Sequence, residues 1–203
     1  MKATQIFESN IVKIIGDHIK HQEEGLFYFV ADRTTAFPGF GNAINKELCE
    51  SLNISVITLP NEGGIIVSSK GSISVGYFTK NLQSTFNEIL TERIVEELLA
   101  KGLDIILDGN DILVDDNYKI ASSGTRRFKD ILFCTFHISY DVDLDAIRQI
   151  CTKPMVKTPK GFKDYGFSEE DILNIFLKHA EEYTEEVESE EAAEIVEAVS
   201  EET

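Results

Sequence analysis

Apolar residues at Ile6, Phe7, Ile11, Val12, Ile14, Ile15 and Ile19 recur every three to four positions and predict a helix over residues 6–21. A longer run of the same period, from Leu82 through Phe86, Leu90 and Ile94 to Leu99, predicts an amphipathic helix over 81–101 that stops at Gly102. Between these helices the pattern is that of strands. Residues 25–31 form a continuous apolar run, 34–42 a short strand broken by Pro38, Gly39 and Gly41, and 54–59 another strand. Asn42 is placed to cap a helix reaching about Leu52. The runs 65–69 and 72–78 flank Lys70 and Gly71 and predict a hairpin. Further strands are expected at 104–107, 111–114, 118–122 and 131–139. Residues 141–150 begin with acidic residues, as a helix N-terminus favours. Ser168 and Asp171 have capping-box spacing for a helix that continues to about residue 180. Meanders and hairpins with helices between them predict an α+β fold, with helices packed on a mainly antiparallel mixed sheet.

Composition divides the chain. The formal net charge is -17, yet residues 181–203 hold 11 Glu and no Lys or Arg. Subtracting those 11 from the total leaves an ordinary -6 on residues 1–180. The expected organisation is therefore a domain over 1–165, a C-terminal helix over 166–180 and an acidic, disordered tail over 181–203. The tail reads first as a solubilising extension, and second, from the spacing of Ala192, Ile195, Val196 and Val199, as a helix that folds on a protein partner. An acidic tail argues against direct nucleic-acid binding, which needs basic side chains to release counterions. No apolar run reaches membrane-spanning length, and the first ten residues lack the apolar segment of a secretory signal. Cys49, Cys134 and Cys151 are far apart in sequence, which points to reduced thiols in a cytoplasmic protein. The four His are scattered and form no metal-ligand pattern, so no metal site is expected.

Four stretches occur in the order found in the catalytic domain of lipoate–protein and biotin–protein ligases. Residues 34–47, TTAFPGFGNAINKE, resemble that family's strand and Gly-x-x-Gln-Asn turn. Residues 58–78 resemble its Gly-rich loop, in which an Arg-x-Ser-Gly-Gly-Gly-type run precedes a hairpin. Residues 109–127, GNDILVDDNYKIASSGTRR, resemble its Asn-Asp strand, acidic turn and Lys-Ile/Val-Ser/Ala-Gly element. Residues 131–150 are similar to the strand carrying a His-Gly-Thr pattern, here Phe133-Cys134-Thr135, with the acidic helix start behind it. The resemblance covers roughly residues 5–165 and implies a class II synthetase-like fold. It implies a two-step reaction with ATP and Mg, in which lipoate, octanoate or biotin becomes an acyl-adenylate and then passes to a lysine of an acceptor protein domain. A Gly-rich loop lets backbone N–H groups approach an anion, and a fixed cation offsets charge as the adenylate forms. The resemblance assigns the cation to Lys119, contact with the nucleotide end of the ligand and its magnesium to Asn110 and Asp111, the Gly-rich loop to Gly63 and Gly64, and adenylate contact to Ser122, Ser123 and Gly124.

The departures favour a second reading. Where the family loop opens with a phosphate-binding Arg, this chain has Thr58-Leu59-Pro60-Asn61-Glu62. Glu62 takes a glycine's place, and a carboxylate about 4 Å from a phosphate at an effective dielectric near 20 costs about 4 kcal/mol. Ser68-Ser69 replaces the family's His-Asp turn. A catalytically inactive ligase fold that acts by binding partners is thus an alternative to catalysis. On its own residues, Lys119 reads first as a solvated hairpin lysine paired with Asp115 and Asp116, and only the resemblance raises a ligand-facing role to an equal footing. Arg126 and Arg127 are surface charges or substitutes for the missing loop Arg. Cys134 and Cys151 are candidates for a thiol nucleophile by residue type alone.

Overall fold

A computed structural model of the chain describes residues 1–38, 44–58, 65–115, 117–153 and 155–201, and for residues 188 and 190–201 the backbone alone. The first half runs β1 (Thr4–Gln5), α1 (Ile11–His21), β2 (Gly25–Val30), β3 (Thr35–Pro38), α2 (Lys46–Ser51), β4 (Ser55–Val56), β5 (Ile65–Ser68) and β6 (Ile73–Thr79). The second half runs α3 (Phe86–Ala100), β7 (Ile105–Asp108), β8 (Asp111–Val114), β9 (Tyr118–Phe128), β10 (Ile131–Ile138), α4 (Leu144–Ile150), β11 (Thr158–Pro159) and α5 (Glu169–Glu201). The central sheet has the order β1-β2-β6-β10-β9-β8-β7, with β11 alongside β9. Its pairs are antiparallel except β1 with β2 and β11 with β9. A smaller sheet has the order β4-β3-β5. This is the expected α+β architecture.

Strand alternation gives the central sheet two different faces. On one, Leu132, Cys134, Phe136 and Ile138 of β10 join Val75 and Tyr77 of β6 against Phe86, Leu90, Ile94 and Leu98 of α3 and Ile172 and Phe176 of α5. On the other, Ile131 and Phe133 of β10 join Phe27, Phe29 and Phe78 against Ile11 and Ile15 of α1. The greasy half of this second face stops midway along β6 and β10, where Ser74, Gly76, Thr135 and His137 take over.

Two expectations change. Residues 65–69 and 72–78 are not a hairpin, because β5 pairs with β3 in the small sheet while β6 lies between β2 and β10. The turn itself survives, with Ser72 N–H donating to Ser69 O at 2.9 Å. Gly71 N–H donates to Ala31 O and Ala31 N–H to Ser72 O, both at 2.8 Å, so the turn is tied to the end of β2 and its arms leave into different sheets. The strand expected over 118–122 continues to Phe128. Its small and basic residues carry no apolar alternation, and pairing with β10, from Phe128↔Ile131 to Ala121↔Ile138, holds them extended.

The cap of α2 is Asn45, whose side chain accepts from Leu48 N–H; Asn42 lies outside the described residues. Ser168 and Asp171 form the expected reciprocal cap of α5. The helix does not end at residue 180. Tyr183 is buried, its ring edge-on to Phe86 at 5.3 Å between centroids, and Thr184 Oγ1 donates to Met1 O at 3.1 Å.

Candidate functional site

The second face of the central sheet carries a row of five register neighbours: Phe29 in β2, Ser74 in β6, His137 in β10, Ser122 in β9 and Asp111 in β8. The next row is Phe27, Gly76, Thr135 and Gly124. All nine line a cavity of about 690 Å³, whose walls also include Phe37 of β3 and Ile65 and Ile66 of β5. That volume suits a small organic ligand. Its lining changes across the sheet, from phenylalanine over β2 to charged and hydroxyl groups over β9 and β8. Gly76 keeps this floor low, since a Cβ there would overlap the Phe27 ring.

A β-bulge sets the polar end. Ile112 faces Ala121 and Leu113 faces Lys119, so Ile120 is an extra residue in β9. Ile120 and Ala121 are both buried in the core beneath α3 and α5. Without the bulge Lys119 and Ser122 would point to opposite faces; with it, both line the cavity. Lys119 Nζ lies 3.6 Å from Asp111 Oδ1. The other oxygen of Asp111 accepts from Lys157 Nζ at 2.7 Å, and Lys157 also meets Asp108 at 2.8 Å. Burial pulls the Lys157 ammonium down, but its hydrogen bonds to Asp108 and Asp111 outweigh this and leave its pKa raised.

A second cavity of about 500 Å³ shares Asp111, Lys119, Ser122 and His137 with the first. Lys153, Lys157 and Ser139 lie on its own side, together with Met155 and Val156. Lys119 therefore stands on the wall between a cavity lined by phenylalanine on its far side and one bordered by Lys153 and Lys157.

His137 sits at the centre of the shared wall and is 7% exposed. Its Nδ1 is 2.9 Å from Ser74 Oγ, and its buried Nε2 has no hydrogen-bond partner. Burial, helped by the charge of Lys119, pushes its pKa down to about 3, so the ring is neutral near pH 7.

Asn110 is in the turn between β7 and β8, where its carbonyl accepts from Ser123 N–H at 2.8 Å. Arg126 pairs with Phe133 across the strands and lines the first cavity, its guanidinium 5.1 Å from the Phe128 ring centroid. Cys134 belongs to the opposite face, and burial pushes its thiol up to about 12. It has neither the position nor the thiolate for a nucleophile in this cavity. Cys151 lines the second cavity, its thiol also raised by burial.

Residues 14–196 match the lipoyl protein ligase A/B catalytic domain. The chain belongs to this family. A bi-partite lipoate–protein ligase from Thermoplasma acidophilum, described together with its E2 lipoyl domain, superposes with a TM-score of 0.72 at 13% identity, over 89% of this chain and 82% of that one. A lipoate–protein ligase A bound with ATP gives 0.70 at 14% identity, over 90% and 85%. LipL1 of P. falciparum in complex with lipoate gives 0.69 at 14% identity, over 91% of this chain and 62% of its own. No curated protein matches the sequence.

Six of the residues that the resemblance to lipoyl ligases singled out, Lys119, Asn110, Asp111, Ser122, Ser123 and Gly124, line the one 690 Å³ cavity. Gly63 and Gly64 lie outside the described residues. Sequence reading passed over Phe27, Phe29, Ser74, Gly76 and His137. Ser74 and Gly76 are marked by the alternation of β6, where they interrupt an apolar run on one face only, whereas Phe27, Phe29 and His137 join them only through strand register.

Proposed function

We propose that this lipoyl-ligase-family domain binds a medium-length carboxylic acid such as lipoate or octanoate, activates it with ATP, and passes the acyl group to a lysine of an acceptor protein. The observation that carries this reading is the polarity of the cavity, apolar over β2 and cationic at Lys119. The acyl chain lies against Phe27, Phe29 and Phe37, with its carboxylate toward Lys119. The nucleotide occupies the second cavity, its phosphates toward Lys153 and Lys157. A carboxylate oxygen attacks the α-phosphorus and pyrophosphate leaves. The acceptor amine then attacks the acyl carbon, AMP leaves, and the amine loses a proton. Lys119 offsets negative charge on the acyl oxygen in both steps. Ser122, Ser123, Gly124 and Asn110 border the reacting groups.

Asp111 does not fit a magnesium ligand in this arrangement, because each of its oxygens faces an ammonium group. Among the described residues no three His, Cys, Asp or Glu side chains converge on one point. No step is therefore routed through a protein-bound metal.

Two features favour the non-catalytic alternative: the absence of an Arg in residues 58–62 and the engagement of Asp111 by two lysines. In that reading the cavity binds an acid without activating it, and the acidic stretch 181–203 engages a protein partner. Among the described residues no helix is long and apolar enough to cross a membrane. Pyrophosphate release from ATP in the presence of lipoate, octanoate or biotin decides between the two. Release that depends on the acid and on Lys119 supports the ligase. Background release with all three acids, alongside calorimetric binding of one of them, supports the binder.

A further inference from the structure

We propose that His137 is a ligand-binding residue, its Nε2–H donating to an oxygen of the acyl carboxylate at the wall shared by the two cavities. This rests on the reading that the first cavity takes a carboxylic acid, and it adds a residue and a tautomer to it.

The geometry is specific. His137 lies in the middle strand of the polar row, with Ser74 on one side and Ser122 on the other. It lines both cavities, so it stands where the head of an acid in the first would meet a nucleotide in the second. One ring nitrogen is satisfied by Ser74 at 2.9 Å, and the other is buried without a partner. Buried polar atoms in folded proteins are nearly always paired, so an orphan nitrogen on a ring that lines two cavities points to a ligand atom. An aliphatic side chain would fill the same space with no unpaired nitrogen.

The chemistry of the ligand atom follows from the neighbours. Lys119 is close enough to His137 for its charge to bear on the ring. Beside an ammonium group the favoured ligand atom is an anionic oxygen, which accepts hydrogen bonds and cannot donate them. The ring must then present N–H at Nε2. That leaves Nδ1 as the acceptor for the Ser74 hydroxyl, so Ser74 positions the ring and pairs with the tautomer that the ligand requires. A neutral imidazole adds direction to the contact, and Lys119 supplies the charge.

The test uses the full chain, with octanoate as the probe in calorimetry. His137→Leu is expected to weaken octanoate binding by about tenfold or more, the loss of one buried hydrogen bond to a charged group. His137→Gln is expected to stay within about threefold of the wild type, because its amide nitrogen reaches the place of Nε2. Ser74→Ala removes the contact that positions the ring and is expected to fall between them. Long-range 1H–15N spectra of the octanoate-bound chain at pH 7 are expected to show the Nε2–H tautomer. Equal binding by wild type and His137→Leu, or an Nδ1–H tautomer, overturns this proposal while leaving the acid-binding reading intact. A folded His137→Gln that binds no better than His137→Leu also overturns it. A wild type that binds neither octanoate, lipoate nor biotin overturns the acid-binding reading and this proposal together.

Discussion

Replacing His137 with Gln should flatten the loss of stability that the protein suffers in mild acid. The imidazole has an ordinary pKa near 6.5 and in the fold is held at about 3, by burial first and by the charge of Lys119 second. Between those two values the unfolded chain takes up a proton at this position and the native chain does not. Stability is therefore fully present above about pH 6.5 and falls as the pH drops toward 3. Each pH unit well inside the window is worth about 1.4 kcal/mol. From pH 7 to pH 5 the expected loss from this one residue is roughly 2 kcal/mol, a sizeable part of a typical folding free energy of about 5–15 kcal/mol. Glu8 works in the opposite sense. Burial, partly offset by a hydrogen bond from Thr35, raises its carboxyl above the ordinary value, so the native state protonates first and gains stability as the pH falls through that folded pKa. Glu8 is present in both chains, so its effect cancels when they are compared. Urea unfolding of wild type and His137→Gln at pH 7 and pH 5 gives the quantity needed, the change in their stability difference between the two pH values. A change of roughly 2 kcal/mol in favour of the variant at pH 5 is expected. A change below about 0.5 kcal/mol, or one of opposite sign, would mean that His137 is not a buried neutral ring.

Lys119→Met should abolish acid-dependent pyrophosphate release, by about a hundredfold or more, while changing stability by no more than about 1 kcal/mol, since its 3.6 Å pair with Asp111 is partly exposed. Unchanged release would remove Lys119 from the site. Cys134 should resist iodoacetamide in the native protein and react only after unfolding, as its thiol is raised to about 12; rapid native labelling detected by mass spectrometry would contradict the packing of β10. Tyr183→Ala should destabilise the protein by about 3 kcal/mol, because its ring packs on Phe86 and its hydroxyl bonds Ser84. An unchanged melting temperature would mean that α5 beyond residue 180 does not belong to the core.

Periodicity found the elements that bury a stripe or a face. The helices α1 and α3, the strands β2, β6 and β10, and the capped start of α5 all follow from residues that repeat at 3.6 or 2. Partners were harder to find than elements. Residues 65–69 and 72–78 look like the arms of a hairpin, and only the bonds from Ala31 and Gly71 show that they part into two sheets. The C-terminal half of β9 carries no apolar alternation, because Ser122 to Arg127 line a cavity and their backs meet solvent and the polar Asn87 of α3, which bonds Gly124 and Thr125. The acidic composition of residues 181–203 hid Tyr183 and Thr184, two buried positions at the start of that stretch. His137 was counted with three other histidines, since nothing local distinguishes a ring that meets Ser74 only through strand register.

The charged end of the cavity also explains how a lysine can serve a ligand while two aspartates stand beside it. Lys119 and Lys157 face Asp108 and Asp111, so the cluster is balanced as it stands. The balance is uneven in distance. Lys157 holds Asp111 at 2.7 Å and Asp108 at 2.8 Å, whereas Lys119 is 3.6 Å from Asp111. Direct charge-assisted hydrogen bonds form near 2.7–2.9 Å, so Lys157 takes the strong contact and Lys119 keeps a loose one. An incoming carboxylate therefore competes with Asp111 for Lys119 at its weakest point. The bulge at Ile120 completes the arrangement, because it turns Lys119 onto the face that carries Ser122, His137 and Ser74. A spacing rule applied to residues 118–122 places Lys119 and Ser122 on opposite faces. Only the extra residue, accommodated by burying both Ile120 and Ala121 beneath α3 and α5, brings the cation and the hydroxyl to the same cavity.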